Sequence, residues 1–132
     1  MKYLLDTNTC IRYINGRNPQ IREHMRSIQD SDIAISTVTK SEMYAGSAKS
    51  QYPLRSRAMQ DAFFIRFESL PFDEPSADAF GRIRAALEIA GTPIGPYDMQ
   101  IAAIAQVHGL IVVTHNLREF SRVKGLLVED WE

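Results

Sequence analysis

Along the chain, short apolar runs alternate with longer stretches in which apolar positions recur every three or four residues. Tyr3 to Leu5 predicts a short buried strand; Ile11, Tyr13 and Ile14 follow at helical spacing, with Thr7 or Asn8 as cap and Gly16 as stop. Asn18-Pro19 opens a second helix to about Gln29, because proline suits the first helical position. Ile33 to Ser36 predicts a second buried strand, and a helix from about Thr39 to Lys49 follows. Pro53 opens a helix from about Leu54 to Ser69 whose apolar stripe is Met59, Phe63, Phe64 and Phe67. Leu70-Pro71-Phe72 then fits a short edge strand, where a proline gives up no ladder bond.

Pro75 begins a helix to about Ala90, the GTPIGP segment is a loop, and Pro96 begins a helix to about His108. Leu110 to Thr114 is the clearest strand, bounded by Gly109 and Asn116, and a last short strand is expected near Leu127-Val128. Strands separated by helical segments need crossover connections, so the pattern predicts an α/β sandwich: a mainly parallel central sheet with helices on both faces. A length of 132 residues, with no repeat and no linker, predicts a single domain over 1–132.

Composition narrows the class without naming a chemistry. The chain is 45% hydrophobic and 23% charged, which excludes the disordered and fibrous classes. One cysteine, Cys10, precludes an internal disulfide, and no signal-type or membrane-length apolar segment appears, so the cytoplasm is the expected location. Fifteen basic and sixteen acidic residues give a formal charge of −1, so a nucleic acid would have to be met by a local patch.

In open α/β sheets ligands gather beyond the carboxyl ends of the strands. Asp6 directly follows the first strand, and Asn116 and Glu119 follow the late one. Glu42 sits one turn into the helix after the second strand, and Asp98 lies in the first turn of the helix that Pro96 opens. Each also has a local explanation. Asp6 suits an Asx turn or a helix cap. Thr39-Lys40-Ser41-Glu42 fits a capping box. Asp98 gains from the helix dipole, Asn116 suits a turn, and Glu119 a solvated face. Three carboxylates at one sheet edge, however, repel one another and raise each other's pKa. Hard oxygen ligands favour Mg²⁺ or Mn²⁺, an arrangement suited to phosphodiester hydrolysis.

Four segments carry a family resemblance: LLDTN, ISTVTKSEMYAG, GPYDMQIAAIA and IVVTHNLREF, in that order, with a GLLVEDW ending. Together they resemble the PIN-domain ribonucleases, and most closely the VapC toxins of bacterial toxin–antitoxin pairs, over nearly the whole chain. The resemblance implies a PIN-like α/β/α sandwich in which Asp6, Glu42 and Asp98 are the catalytic acids and hold Mg²⁺, or Mn²⁺. Many PIN domains carry a fourth acid where this chain has Asn116, a departure that weakens a second metal site; Glu119 is placed to supply the charge. Thr7 and Thr114 correspond to small hydroxyl residues with secondary or substrate-positioning roles.

The implied activity is a metal-dependent endoribonuclease acting on structured RNA such as tRNA, the nearest-looking members cutting initiator tRNA in its anticodon stem-loop. The implied partners are a VapB-type antitoxin, operator DNA through that antitoxin alone, and a second copy of the chain in a homodimer. Arg12, Lys40, Lys49, Arg82, Arg84 and Arg118 are candidate phosphate contacts, and Tyr97 a candidate for stacking on an unpaired base. Met43, Tyr44 and Phe64 form either a partner clamp or part of the core. Three other readings compete. A receiver-type signalling domain also places an aspartate after a strand, though Thr7-Asn8 replaces its acidic doublet and His115-Asn116 its lysine. A metal-free ribonuclease could draw on His24, His108 and His115, and a PIN-like binding module could have lost catalysis.

Overall fold

Five short strands pair side by side in the computed structural model, which describes residues 1–132. They are β1 (Tyr3–Leu5), β2 (Ile33–Ser36), β3 (Glu68–Leu70), β4 (Ile111–Val113) and β5 (Val128–Glu129), in the order β3-β2-β1-β4-β5. All four pairings are parallel, with Leu4 opposite both Ala34 and Val112. Parallel neighbours require crossovers, and seven helices make them: α1 (Thr7–Asn15), α2 (Pro19–Ser27), α3 (Thr37–Ala48), α4 (Pro53–Phe64), α5 (Glu74–Ala90), α6 (Pro96–His108) and α7 (Leu117–Phe120).

The core is divided by the sheet. Side chains alternate across a strand, so Leu4, Ala34 and Val112 point to one face while Tyr3, Leu5, Ile33, Ile35 and Val113 point to the other. The first face is covered by α5 and α6, whose central residues Ile101 to Ala105 are without exposure. The second is covered by α1, α2 and the end of α4, through Cys10, Ile21, Met25, Phe63 and Phe64. Helix α3 wraps an edge, giving Val38 to one cluster and Met43 to the other. The sheet therefore lies between two helical layers, the α/β/α sandwich expected from the alternation of patterns.

Several boundaries differ from the expected ones. Helix α4 stops at Phe64 rather than near Ser69, and β3 occupies Glu68–Leu70 rather than 70–72. Phe67 continues the aromatic cluster with Phe63 at 5.0 Å, so the apolar stripe runs past the end of the helix that started it. Helix α3 begins at Thr37, capped by the Ser36 hydroxyl, which accepts from the Thr39 N–H at 3.0 Å. The capping box at Thr39 to Glu42 is accordingly not formed. Helix α1 is capped by Asp6 itself, not by Thr7 or Asn8. The four-residue α7 was not anticipated, being too short to show a period. Met43 and Phe64 are buried, so the core explanation of that stripe holds for them; Tyr44 is partly buried against Phe64.

The strand order also settles one competing reading. A receiver-type fold sets its first strand between the second and the third, whereas here β1 lies between β2 and β4. The receiver reading is therefore wrong.

Candidate active site

The chain leaves β1 toward β2 on one side, and β4 pairs with β1 on the other, so the β1–β4 gap is the topological switch point where a crevice opens beyond the strand ends. Asp6 and Thr114 are the residues that follow these two strands. Asp6 is 4% exposed and Thr114 fully buried. The Asp6 N–H still belongs to the sheet, donating to the Val113 carbonyl at 3.0 Å. Its side chain accepts from the Thr9 N–H at 2.9 Å through Oδ1, and from the Thr114 hydroxyl. That hydroxyl in turn accepts from the Asn116 N–H at 2.9 Å. A relay of donors thus holds the carboxylate at the crevice.

Glu42 lies in the second turn of α3, half-buried. The Thr7 hydroxyl donates to its Oε1 at 2.6 Å and lies 3.2 Å from the Thr39 hydroxyl. With one proton to give, Thr7 spends it on the carboxylate and receives from Thr39. Asp98 is in the first turn of α6, and Pro96 at that helix start supplies the preset backbone. Glu119, on α7, accepts from the Asn116 side-chain amide at 2.8 Å.

Electrostatics brings the four acids together. Burial pushes the Asp98 carboxyl up to about 6, and the charges of Asp6, Glu42 and Glu119 push in the same direction. Asp6 is also raised, by burial first, with the Thr114 and Thr9 hydrogen bonds pulling against it. No lysine or arginine forms an ion pair with Asp6, Glu42, Asp98 or Glu119. A cluster of oxygen ligands, partly withdrawn from water and without a protein cation, has the donor chemistry of a hard divalent ion.

The positively charged candidates divide. Arg82 and Arg84 pair with Asp78 and Glu88 along the exposed side of α5, and Arg12 pairs with Glu132 at 2.5 Å. Those three are engaged. Lys40, Lys49 and Arg118 form no ion pair; Arg118 lies on α7 beside Glu119, and Lys40 rests 5.2 Å from the Phe64 ring. Tyr97, next to Asp98, is 53% exposed. The three histidines do not converge: His24 stacks on Trp131, His115 meets Asp130, and His108 ends α6 at the opposite end from Asp98. Thr9 was missed from the sequence, although its place three residues after an aspartate cap is the usual spacing of that bond.

A groove of about 550 Å³ leads away from Glu42 between α1, α3 and α4, lined by Ile11, Ile14, Tyr52 and Met59 with Arg55 at its side. Tyr52 and Met59 are 62% and 51% exposed, so the groove has an open apolar rim.

Comparison with known proteins agrees with this fold. The PIN domain model matches residues 3–126. The tRNA(fMet)-specific endonuclease VapC of Salmonella typhimurium is 45% identical over 131 residues, which cover 99% of this chain and 98% of that protein. The structure of DNA-bound VapBC from Salmonella typhimurium superposes with a TM-score of 0.95 over 100% of this chain and 99% of that one, at 45% identity. VapBC2 from Rickettsia felis, bound to a DNA fragment from its promoter, gives a TM-score of 0.93 at 30% identity over the full length of both chains.

Proposed function

The chain belongs to the PIN-domain family, within its VapC branch, and on that premise we propose that it is a metal-dependent endoribonuclease and the toxin half of a toxin–antitoxin pair. The observation that carries the proposal is the convergence of Asp6, Glu42, Asp98 and Glu119 on one sheet edge with no protein cation among them. Asp6, Asp98 and Glu42 are the residues to hold the ion, and hard oxygen donors favour Mg²⁺ over softer metals. When bound, such an ion lowers the pKa of a water and draws charge from a phosphate.

The protein's own side chains then do the rest. Thr9 and Thr114 fix Asp6 at the crevice, and Thr7 fixes Glu42. In the metal-free chain burial and the charges of Asp6, Glu42 and Glu119 hold the Asp98 carboxyl at about 6, a repulsion that a bound cation would relieve. Asn116 steadies Thr114 through its N–H and Glu119 through its amide, so the position that is acidic in many PIN domains here acts as a hydrogen-bond donor. Arg118 and Lys40 meet the RNA backbone, and Tyr97 stacks on a base splayed from a loop.

The 45% identical relative is named for tRNA(fMet), which supports initiator tRNA as the substrate; the family resemblance implies a cut in its anticodon stem-loop. The partner is a VapB-type antitoxin, whose apolar segment occupies the groove beside Glu42 and which alone carries the complex to operator DNA. The toxin works as a single domain over 1–132 and pairs as a homodimer. To test the reading, initiator tRNA is incubated with the purified protein in Mg²⁺ and in excess EDTA, with Asp6→Asn as control. Cleavage confined to the loop, requiring Mg²⁺ and absent from the variant, is expected. Cleavage that persists in EDTA would overturn it and favour a histidine mechanism.

A further inference from the structure

Strands β4 and β5 run parallel, so the segments that leave them lie side by side: His115 after one, Asp130 to Glu132 after the other. His115 Nδ1 is 3.0 Å from Asp130 Oδ2 and 3.8 Å from Glu132 Oε2, and the three atoms all lie within 4.8 Å of one another. Each carboxylate has one oxygen already committed. Asp130 Oδ1 accepts from the Glu132 N–H at 2.9 Å, and Glu132 Oε1 accepts from Arg12 at 2.5 Å and from the Asn18 amide at 3.3 Å. The remaining oxygens face the imidazole nitrogen.

Glu132 supplies an independent sign that something is to be bound there. Its side chain is only 7% exposed, and Oε2 is buried with no hydrogen-bond partner. Buried carboxylate oxygens are rarely left so, because the lost hydration is uncompensated. A cation would satisfy this oxygen, and Arg12 and Asn18 already hold the carboxylate in place from behind, as outer partners orient metal ligands.

We propose that His115, Asp130 and Glu132 form a second divalent-cation site, distinct from the Asp6–Asp98 cluster, that takes a transition metal of the zinc type. One imidazole nitrogen with two carboxylate oxygens suits Zn²⁺ rather than Mg²⁺, which prefers oxygen alone. Tetrahedral bonds of ~2.05 Å set ligand atoms ~3.3 Å apart. The separations from the His115 nitrogen, 3.0 and 3.8 Å, bracket that value. The bound ion clasps the tail of β5 to the loop that carries Asn116, and leaves its fourth position to water. This site stands whether or not the chain is a ribonuclease.

The test uses the full chain carrying Asp6→Asn and Asp98→Asn, so that metal binding at the crevice is suppressed. Zn²⁺ is titrated calorimetrically into this protein after chelator treatment, and Co²⁺ absorption is recorded in parallel. One Zn²⁺ per chain is expected, not displaced by millimolar Mg²⁺, with a visible Co²⁺ band of tetrahedral intensity and a raised thermal midpoint. Adding His115→Ala, at a side chain that is 57% exposed and therefore replaceable without loss of packing, should weaken Zn²⁺ at least tenfold and remove the Co²⁺ band. Glu132→Gln should do the same. Zn²⁺ affinity unchanged by both substitutions, or no saturable Zn²⁺ binding in the parent, overturns the proposal.

Discussion

Replacing Asp98 with asparagine should abolish cleavage yet make the metal-free protein more stable at neutral pH. The folded chain holds this carboxyl at about 6 rather than 3.8, through burial and then through the charges of Asp6, Glu42 and Glu119. Unscreened, that displacement is worth ~3 kcal/mol against the folded state. Asp98 is only partly buried, so water screens it and roughly half, ~1.5 kcal/mol, survives. Asparagine also forfeits the attraction between a carboxylate and the start of α6, ~0.5 kcal/mol. The net gain is ~1 kcal/mol, a rise in Tm of about 3–5 °C for a domain of this size. Because the folded state binds the proton more tightly than the unfolded chain, stability falls as pH rises from 3.8 through about 6. The penalty is whole above that window and absent below it. Thermal unfolding followed by circular dichroism in EDTA should therefore separate the variant from the parent at pH 8 and bring them together near pH 4. A variant no more stable than the parent at pH 8, or equally stabilised at both pH values, would refute the picture of mutually repelling acids.

Asp6→Asn keeps an oxygen for the Thr9 N–H, so its Tm in EDTA should not fall, while cleavage of RNA drops at least ~100-fold. Asn116→Asp turns a donor to Glu119 into a second carboxylate 2.8 Å away; its metal-free Tm should fall by a few degrees at pH 8, an effect removed by acid or by added divalent metal and checked by scanning calorimetry. Ser36→Ala deletes the α3 cap bond and should cost ~1 kcal/mol, again about 3–5 °C, with no dependence on pH or metal.

The architecture was legible because its punctuation is local. Pro19, Pro53, Pro75 and Pro96 all fall at the first or second position of a helix, and Gly16, Gly91 and Gly109 close α1, α5 and α6 in the left-handed conformation, where a side chain would be strained. What was not legible were places where one residue serves two elements. Phe67 follows α4 in the chain but packs with Phe63 as though the helix had continued, so periodicity alone carried the helix too far. Ser36 is both the last residue of β2 and the cap of α3, and a strand that ends in a cap hides the cap from a search for helix starts. Thr39, three residues on, has the same hydroxyl chemistry and was read in its place, which displaced the helix start by two residues.

The same double use explains why the acids looked individually explicable. A carboxylate has two oxygens, and a bond to one leaves the other free, so a cap and a ligand are not competing descriptions of Asp6. Its capping bond is what aims it: the Thr9 N–H fixes Oδ1, and the Thr114 hydroxyl, itself oriented by the Asn116 N–H, fixes the group from β4. Glu42 reverses the case. With the α3 start moved to Thr37 it has no backbone amide to return to, and the Thr7 hydroxyl takes it instead, from the residue next to Asp6. Two acids thirty-six positions apart in the chain are thereby oriented by neighbouring residues of α1, and a change at the β1–α1 junction moves both. Asp98 has no such support among the hydrogen bonds, so nothing offsets the burial and the neighbouring charges that push its carboxyl up to about 6.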